Sequence, residues 1–124
     1  MICTYREGIV LRPVYHVFRL YNLMLDRHID TWVKEGADDM LDIAATSDEN
    51  SGRISIAVVN KDPDRERQIC IGMNRKYSLA QLHTVNGTDT GSCNTVGKSE
   101  VGVHTRQIRP APDNHMVTTV LVLR

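Results

Sequence analysis

The stretch Ile54-Ser55-Ile56-Ala57-Val58-Val59-Asn60-Lys61-Asp62-Pro63 decides how this chain folds. Ile54, Ile56 and Val58 alternate with their neighbours at the period of two that a strand with one buried face requires, and the run stops in the polar turn 60–63. Just upstream, Leu41, Ile43 and Ala45 alternate with Met40, Asp42 and Ala44, and Asp48-Glu49-Asn50-Ser51-Gly52 supplies the connecting loop. These two strands form a hairpin. Further alternating runs at 68–73, 78–85, 101–108 and 116–123 are separated by Asn74-Arg75-Lys76, Asn86-Gly87 and the segment 110–114. Short strands with turn chemistry between them indicate an antiparallel β-sandwich. Between residues 86 and 102 the chain is mostly Gly, Thr, Ser and Asn, which predicts a long exposed loop over the sheets.

Before about Asp39 the period is that of a helix. Pro13 opens a segment whose apolar residues Val14, Val17, Phe18, Tyr21, Met24 and Leu25 recur in steps of three and four, with His16, Arg19, Asn22 and Asp26 on the opposite side. Proline suits the first helical position because its missing N–H has no partner there. Arg12 is a poor N-cap. The helix is expected over about 13–25, with its apolar stripe packed as core, and a boundary between helix and strands is expected around 30–38.

A chain of 124 residues suits one core. Its 15 Lys and Arg balance its 15 Asp and Glu, so no long-range field draws it to nucleic acid or to an anionic membrane. The longest apolar runs, 56–59 and 120–123, are far shorter than the roughly 20 residues of a membrane helix. The N-terminus, with Arg6 and Glu7 close to Met1, does not read as a secretion signal, and a cytoplasmic location is expected. Cys3, Cys70 and Cys93 are odd in number and widely spaced, so neither a disulfide framework nor a zinc site is expected. No cofactor or metal is expected.

Several groups of chemically capable residues have simpler readings. Asp38, Asp39 and Asp42 form the closest carboxylate cluster, but Asp39 and Asp42 lie near a strand entrance, where charge marks solvent exposure. Asp62, Asp64 and Glu66 offer alternating oxygens without the glycine and spacing of an EF-hand, and read as a solvated turn. His16, His28, His83, His104 and His115 follow no metal-binding spacing. Asn86-Gly87-Thr88 is a glycosylation sequon that reads as a turn. Among Tyr15, Phe18, Tyr21 and Trp32, only Trp32 lies beyond the helix stripe, and it is the candidate sugar contact.

Three features in order along the chain resemble one enzyme family. Leu11-Arg12-Pro13-Val14-Tyr15-His16-Val17-Phe18-Arg19-Leu20-Tyr21 is similar to a segment in which a Thr-Pro pair starts the last helix of a (β/α)8 barrel. Leu41-Asp42-Ile43-Ala44-Ala45-Thr46, followed by residues 52–63, looks like a hairpin that ends in an Asn-x-Asp-Pro turn. Gly87-Thr88-Asp89 with Asn94-Thr95, and the apolar strand 117–123, resemble the loop and closing strand of the same domain. The family is the α-L-arabinofuranosidases of glycoside hydrolase family 51. Two positions depart from its pattern: Arg12 replaces a capping threonine, and Ser92-Cys93 precedes Asn94 where Ala-His is common.

The resemblance implies a fold and a role. The fold is all-β, an antiparallel jelly-roll sandwich over 31–124, preceded in 1–30 by one helix left over from the barrel. The parent enzyme would release terminal α-L-arabinofuranosyl groups from arabinan, arabinoxylan or short oligosaccharides with retention, using two glutamates upstream of Met1. No catalytic residue is expected in this chain, which alone should be inactive. Its expected partners are the upstream barrel and a second copy in a homo-oligomer, with arabinose-containing polysaccharide reached through the parent. The alternative is a carbohydrate-binding module, against which the 5% aromatic content counts.

Overall fold

The computed structural model describes residues 2–34, 36, 39–73, 75–77, 79–87 and 91–108, and the backbone of 115–120. A hairpin comes first: β1 (Ile2–Tyr5) turns through Arg6 and Glu7 into β2 (Gly8–Leu11), with Tyr5 opposite Gly8 and Ile2 opposite Leu11. Helix α1 (Pro13–Tyr21) follows directly. The remaining strands are β3 (Arg27–Ile29), β4 (Leu41–Asp48), β5 (Arg53–Asn60), β6 (Arg67–Gly72), β7 (Ala80–Asn86), β8 (Gly102–Ile108) and β9 (His115–Val120). Among the described residues they form four antiparallel sheets, β1-β2, β3-β4-β5, β6-β9 and β7-β8. The fold is all-β with one short helix.

The hairpin expected from the alternating stretches is β4-β5, in register from Leu41 opposite Asn60 to Asp48 opposite Arg53. Its turn is built by Asp48, whose Oδ1 accepts from the Asn50 N–H at 2.9 Å and whose Oδ2 accepts from the Ser51 hydroxyl at 2.6 Å. Those bonds hold the Asp48 carboxyl below the usual carboxylate range. Gly52 closes the turn at φ +67°, a conformation that costs a residue with a Cβ.

At the other end, Asn60 is fully buried and organises the exit. Its Nδ2 donates to the Arg65 carbonyl at 2.7 Å and its Oδ1 accepts from the Asp62 N–H at 3.1 Å. Asp62 in turn accepts from the Asp64 N–H at 3.0 Å and pairs with Arg67 at 3.5 Å. In the 60–65 segment the side chains of Asn60 and Asp62 therefore bond backbone two residues on, and Asn60 reaches five residues on as well, the local bonding that favours Asn and Asp in turns. Of the acidic residues read as a solvated turn, Asp62 contributes its side chain and Asp64 its backbone N–H.

The helix packs on β7 and β8. Its length and its buried side both differ from the periodicity. It ends at Tyr21 rather than near Leu25, because Leu23 and Met24 donate to the carbonyls three residues back, at 2.9 and 3.0 Å, tightening the last turn. The hairpin then captures the chain: Leu25 N donates to Thr46 Oγ1 at 2.8 Å, and Ser55 Oγ donates to the Leu23 carbonyl at 2.7 Å. Strand β3, before residue 30, pairs with β4, beyond the expected boundary.

Phe18 and Tyr21 were expected in the core with Val14, yet the three are 55%, 58% and 45% exposed, while His16, from the expected polar side, is only 8% exposed. Periodicity identifies an apolar face; what covers it is decided by tertiary contacts, and here the inner contact is made by His16. The loop 86–102 is likewise not wholly exposed, since Asn94 and Val101 are buried with Val10, Ala45 and Val85. No helix among the described residues is long and apolar enough to cross a membrane.

Replacing Asn60 with Ala leaves the Arg65 carbonyl and the Asp62 N–H without their partners. The expected loss is about 1–3 kcal/mol of stability, the range for stranding a buried polar group. Urea denaturation reads it as a lower midpoint at unchanged slope.

Candidate functional site

Asn94 joins three parts of the chain. Its Nδ2 donates to the Leu11 carbonyl at 2.6 Å and to the Val101 carbonyl at 2.9 Å, while its Oδ1 accepts from the N–H groups of Glu100 and Val101, both at 3.0 Å. The amide orientation follows from these partners, since two carbonyls face one end and two N–H groups face the other. The same Nδ2 lies 3.5 Å from Nε2 of His16, on the inner face of α1. Asn94 is 4% exposed, and its bonds to the carbonyl and N–H of Val101 are made away from water, where an unmade one is costly.

The loop around Asn94 closes on itself. Thr95 and Lys98 exchange backbone hydrogen bonds at 2.9 and 3.1 Å. Glu100 accepts from the Cys93 N–H at 3.0 Å and pairs with Lys98, and these contacts, Lys98 first, lower its pKa. Gly87 sits where the loop leaves β7: a Cβ there would stand 2.7 Å from the Ser92 Cβ and 3.1 Å from Val101 Cγ2. A close approach of this kind admits only glycine without rearrangement.

Beside the hub lies a cleft of about 270 Å³ lined by Tyr5, Arg12, Asn94, Thr95 and Val96. Arg12 is the N-cap of α1 and makes no side-chain cap bond; its guanidinium instead donates to the Tyr5 hydroxyl at 3.4 Å. Its hydrogen bond to Cys3 holds that thiol below its ordinary pKa. A retaining glycosidase needs two carboxyl groups about 5–5.5 Å apart across the scissile bond. No Asp or Glu is among the described residues lining the cleft.

The residues singled out from sequence lie elsewhere. Trp32, in the link between β3 and β4, is 84% exposed and takes no part in the cleft. Asp42 pairs with Lys61 at 3.1 Å, and Asp38 lies outside the described residues, as does Thr88 of the sequon. His83 meets Thr105 Oγ1 at 2.9 Å across β7 and β8. Among the described residues no three His, Cys, Asp or Glu side chains come together to hold a metal ion. Cys3, Cys70 and Cys93 are free thiols. Tyr15, read as core, is half-buried and meets the His16 ring edge-on at 5.6 Å.

Asn94 and His16 were not foreseen as partners. In sequence Asn94 looks like one more loop residue and His16 like a surface position on a helix. The one available signal was that Asn94-Thr95 belongs to the pattern that carries the family resemblance.

Asn94→Ala strands the two carbonyls and the two N–H groups together. The expected loss is at least about 3 kcal/mol, since each stranded group costs roughly 1–3 kcal/mol and the losses overlap. Thermal unfolding measures it, and a change below about 1 kcal/mol would mean the hub is not formed in solution.

Comparison of the chain with family models, with curated proteins and with solved structures finds no match.

Proposed function

We propose that the chain is the C-terminal jelly-roll domain of a family 51 α-L-arabinofuranosidase, carrying the last helix of the catalytic barrel, and that its role is to brace that barrel. The observation behind this reading is the two-sided use of α1. His16 is buried and Val17 and Leu20 are half-buried, while Val14, Phe18 and Tyr21 form a second apolar row that is about half exposed. A helix shared between a barrel and a β-domain needs two such faces, and the family resemblance supplies the barrel. Fully burying side chains of this kind stabilises by about 1.5–3 kcal/mol each, enough to hold two domains together.

In this reading the parent hydrolyses terminal α-L-arabinofuranosides with retention, in the cytoplasm, from glutamates on the barrel. The domain contributes rigidity and contacts to further copies of the enzyme. A binding-module reading competes through one observation, the exposure of Trp32, because an aromatic face open to solvent is what a sugar ring stacks on.

The two readings separate in affinity gels containing arabinan or arabinoxylan, run beside a chromogenic arabinofuranoside assay. A bracing domain migrates without retardation and leaves the glycoside intact. It also binds a family 51 barrel truncated before its last helix, and Phe18→Asp weakens that binding about tenfold or more, equivalent to roughly 1.4 kcal/mol. Retardation abolished by Trp32→Ala would establish the binding module instead. Hydrolysis by the chain alone would overturn both.

A further inference from the structure

The contact between His16 and Asn94 has room for a neutral imidazole only. Both Nδ2 hydrogens of Asn94 are directed at carbonyls, those of Leu11 and Val101, and its Oδ1 is filled by two backbone N–H groups. The amide therefore turns its N–H2 group toward His16 Nε2 at 3.5 Å and offers that nitrogen no acceptor. Nδ1 is likewise buried and has no hydrogen-bond partner among the described residues. A protonated ring carries an N–H at both nitrogens, so it would set a donor at Nε2 against the amide's N–H2 group and find no acceptor at either nitrogen.

We propose that His16 is a pH-sensitive latch: its neutral ring lets α1 lie on the β7-β8 sheet, and its protonation drives the helix off that sheet. The row Val14, Phe18 and Tyr21 moves with the helix, so the outward apolar face is held in place only while the ring is neutral. Strand β2 is connected to the same hub through the Leu11 carbonyl, and the corner between β2 and α1 loosens with it.

The charges around the ring favour this direction. Arg19, one turn along the same helix, is the charge that acts on His16, and it is positive; burial and Arg19 together lower the pKa of the ring. Arg12, at the start of the helix, is committed to Cys3 and Tyr5. In the loop that carries Asn94, Lys98 and Glu100 pair with each other. On the strands beneath the helix, His83 is bonded to Thr105, and His104 and Arg106 occupy exposed positions of β8.

A lowered folded-state pKa fixes the sign. Above about pH 6.5, the ordinary histidine value, docked and released states are both neutral and the helix is held. Below it the released ring takes up a proton more readily, so docking weakens by about tenfold for each pH unit until the docked ring titrates as well.

Hydrogen exchange of residues 13–21, corrected for intrinsic rates, tests this in the wild-type chain and in His16→Leu. The wild type should lose protection between about pH 7.5 and pH 5, by at most about thirtyfold, and His16→Leu, which cannot titrate there, should keep it. A wild-type helix equally protected at both pH values overturns the proposal, as does the same loss in both proteins. Titration of the His16 ring by NMR needs no variant: a midpoint below the ordinary histidine value is expected, and one at or above it overturns the latch.

Discussion

The side-chain amide of Asn94 is the constraint on which the rest of the arrangement depends. It saturates both of its ends with backbone groups from Leu11, Glu100 and Val101, and in doing so brings the end of the first hairpin, the long loop and the start of β8 to one point. Helix α1 is seated at that point through His16. Without the amide, the Leu11 and Val101 carbonyls and the Glu100 and Val101 N–H groups would lose these partners, and the helix would rest on its packing against β7 and β8 and on the Thr46 and Ser55 bonds to the chain after it.

The same device recurs elsewhere. Asn60 folds the exit of the central hairpin, Thr46 and Ser55 catch the chain after the helix, and Asp48 builds the turn between β4 and β5. Buried hydrophobic residues are few among those described: Val10, Ala45, Val85 and Val101. Such a domain is positioned as much by polar side chains bonded to backbone as by apolar burial. Such bonds are directional, so they specify which segments meet, while apolar contact alone tolerates sliding. The cost is that each depends on a single side chain.

The period-two stretches were legible because alternation is a local property. Residues 54–60 and 41–45 fall within β5 and β4, and the turn chemistry at 48–52 and 60–63 is read directly from Asp, Asn and Gly. The helix start at Pro13 was legible for the same reason. What the sequence did not disclose are the long-range choices. Hairpin β1-β2 and strand β3 are too short to show a period, and the covered side of α1 depends on a residue 78 positions away. The loop 86–102 looked exposed because its buried members, Asn94 and Val101, are separated by residues that are polar or small. Trp32 drew notice as a lone aromatic, whereas the residues that meet at the hub are of types common on any surface.

The most direct test of this account is the NMR signal of the Asn94 side-chain amide at neutral pH. Both of its hydrogens are directed at carbonyls in a buried position, so they should exchange slowly with water and show cross-relaxation to the ring protons of His16. Rapid exchange of the two hydrogens, or the lack of any cross-peak to His16, would contradict the hub and with it the seating of the helix.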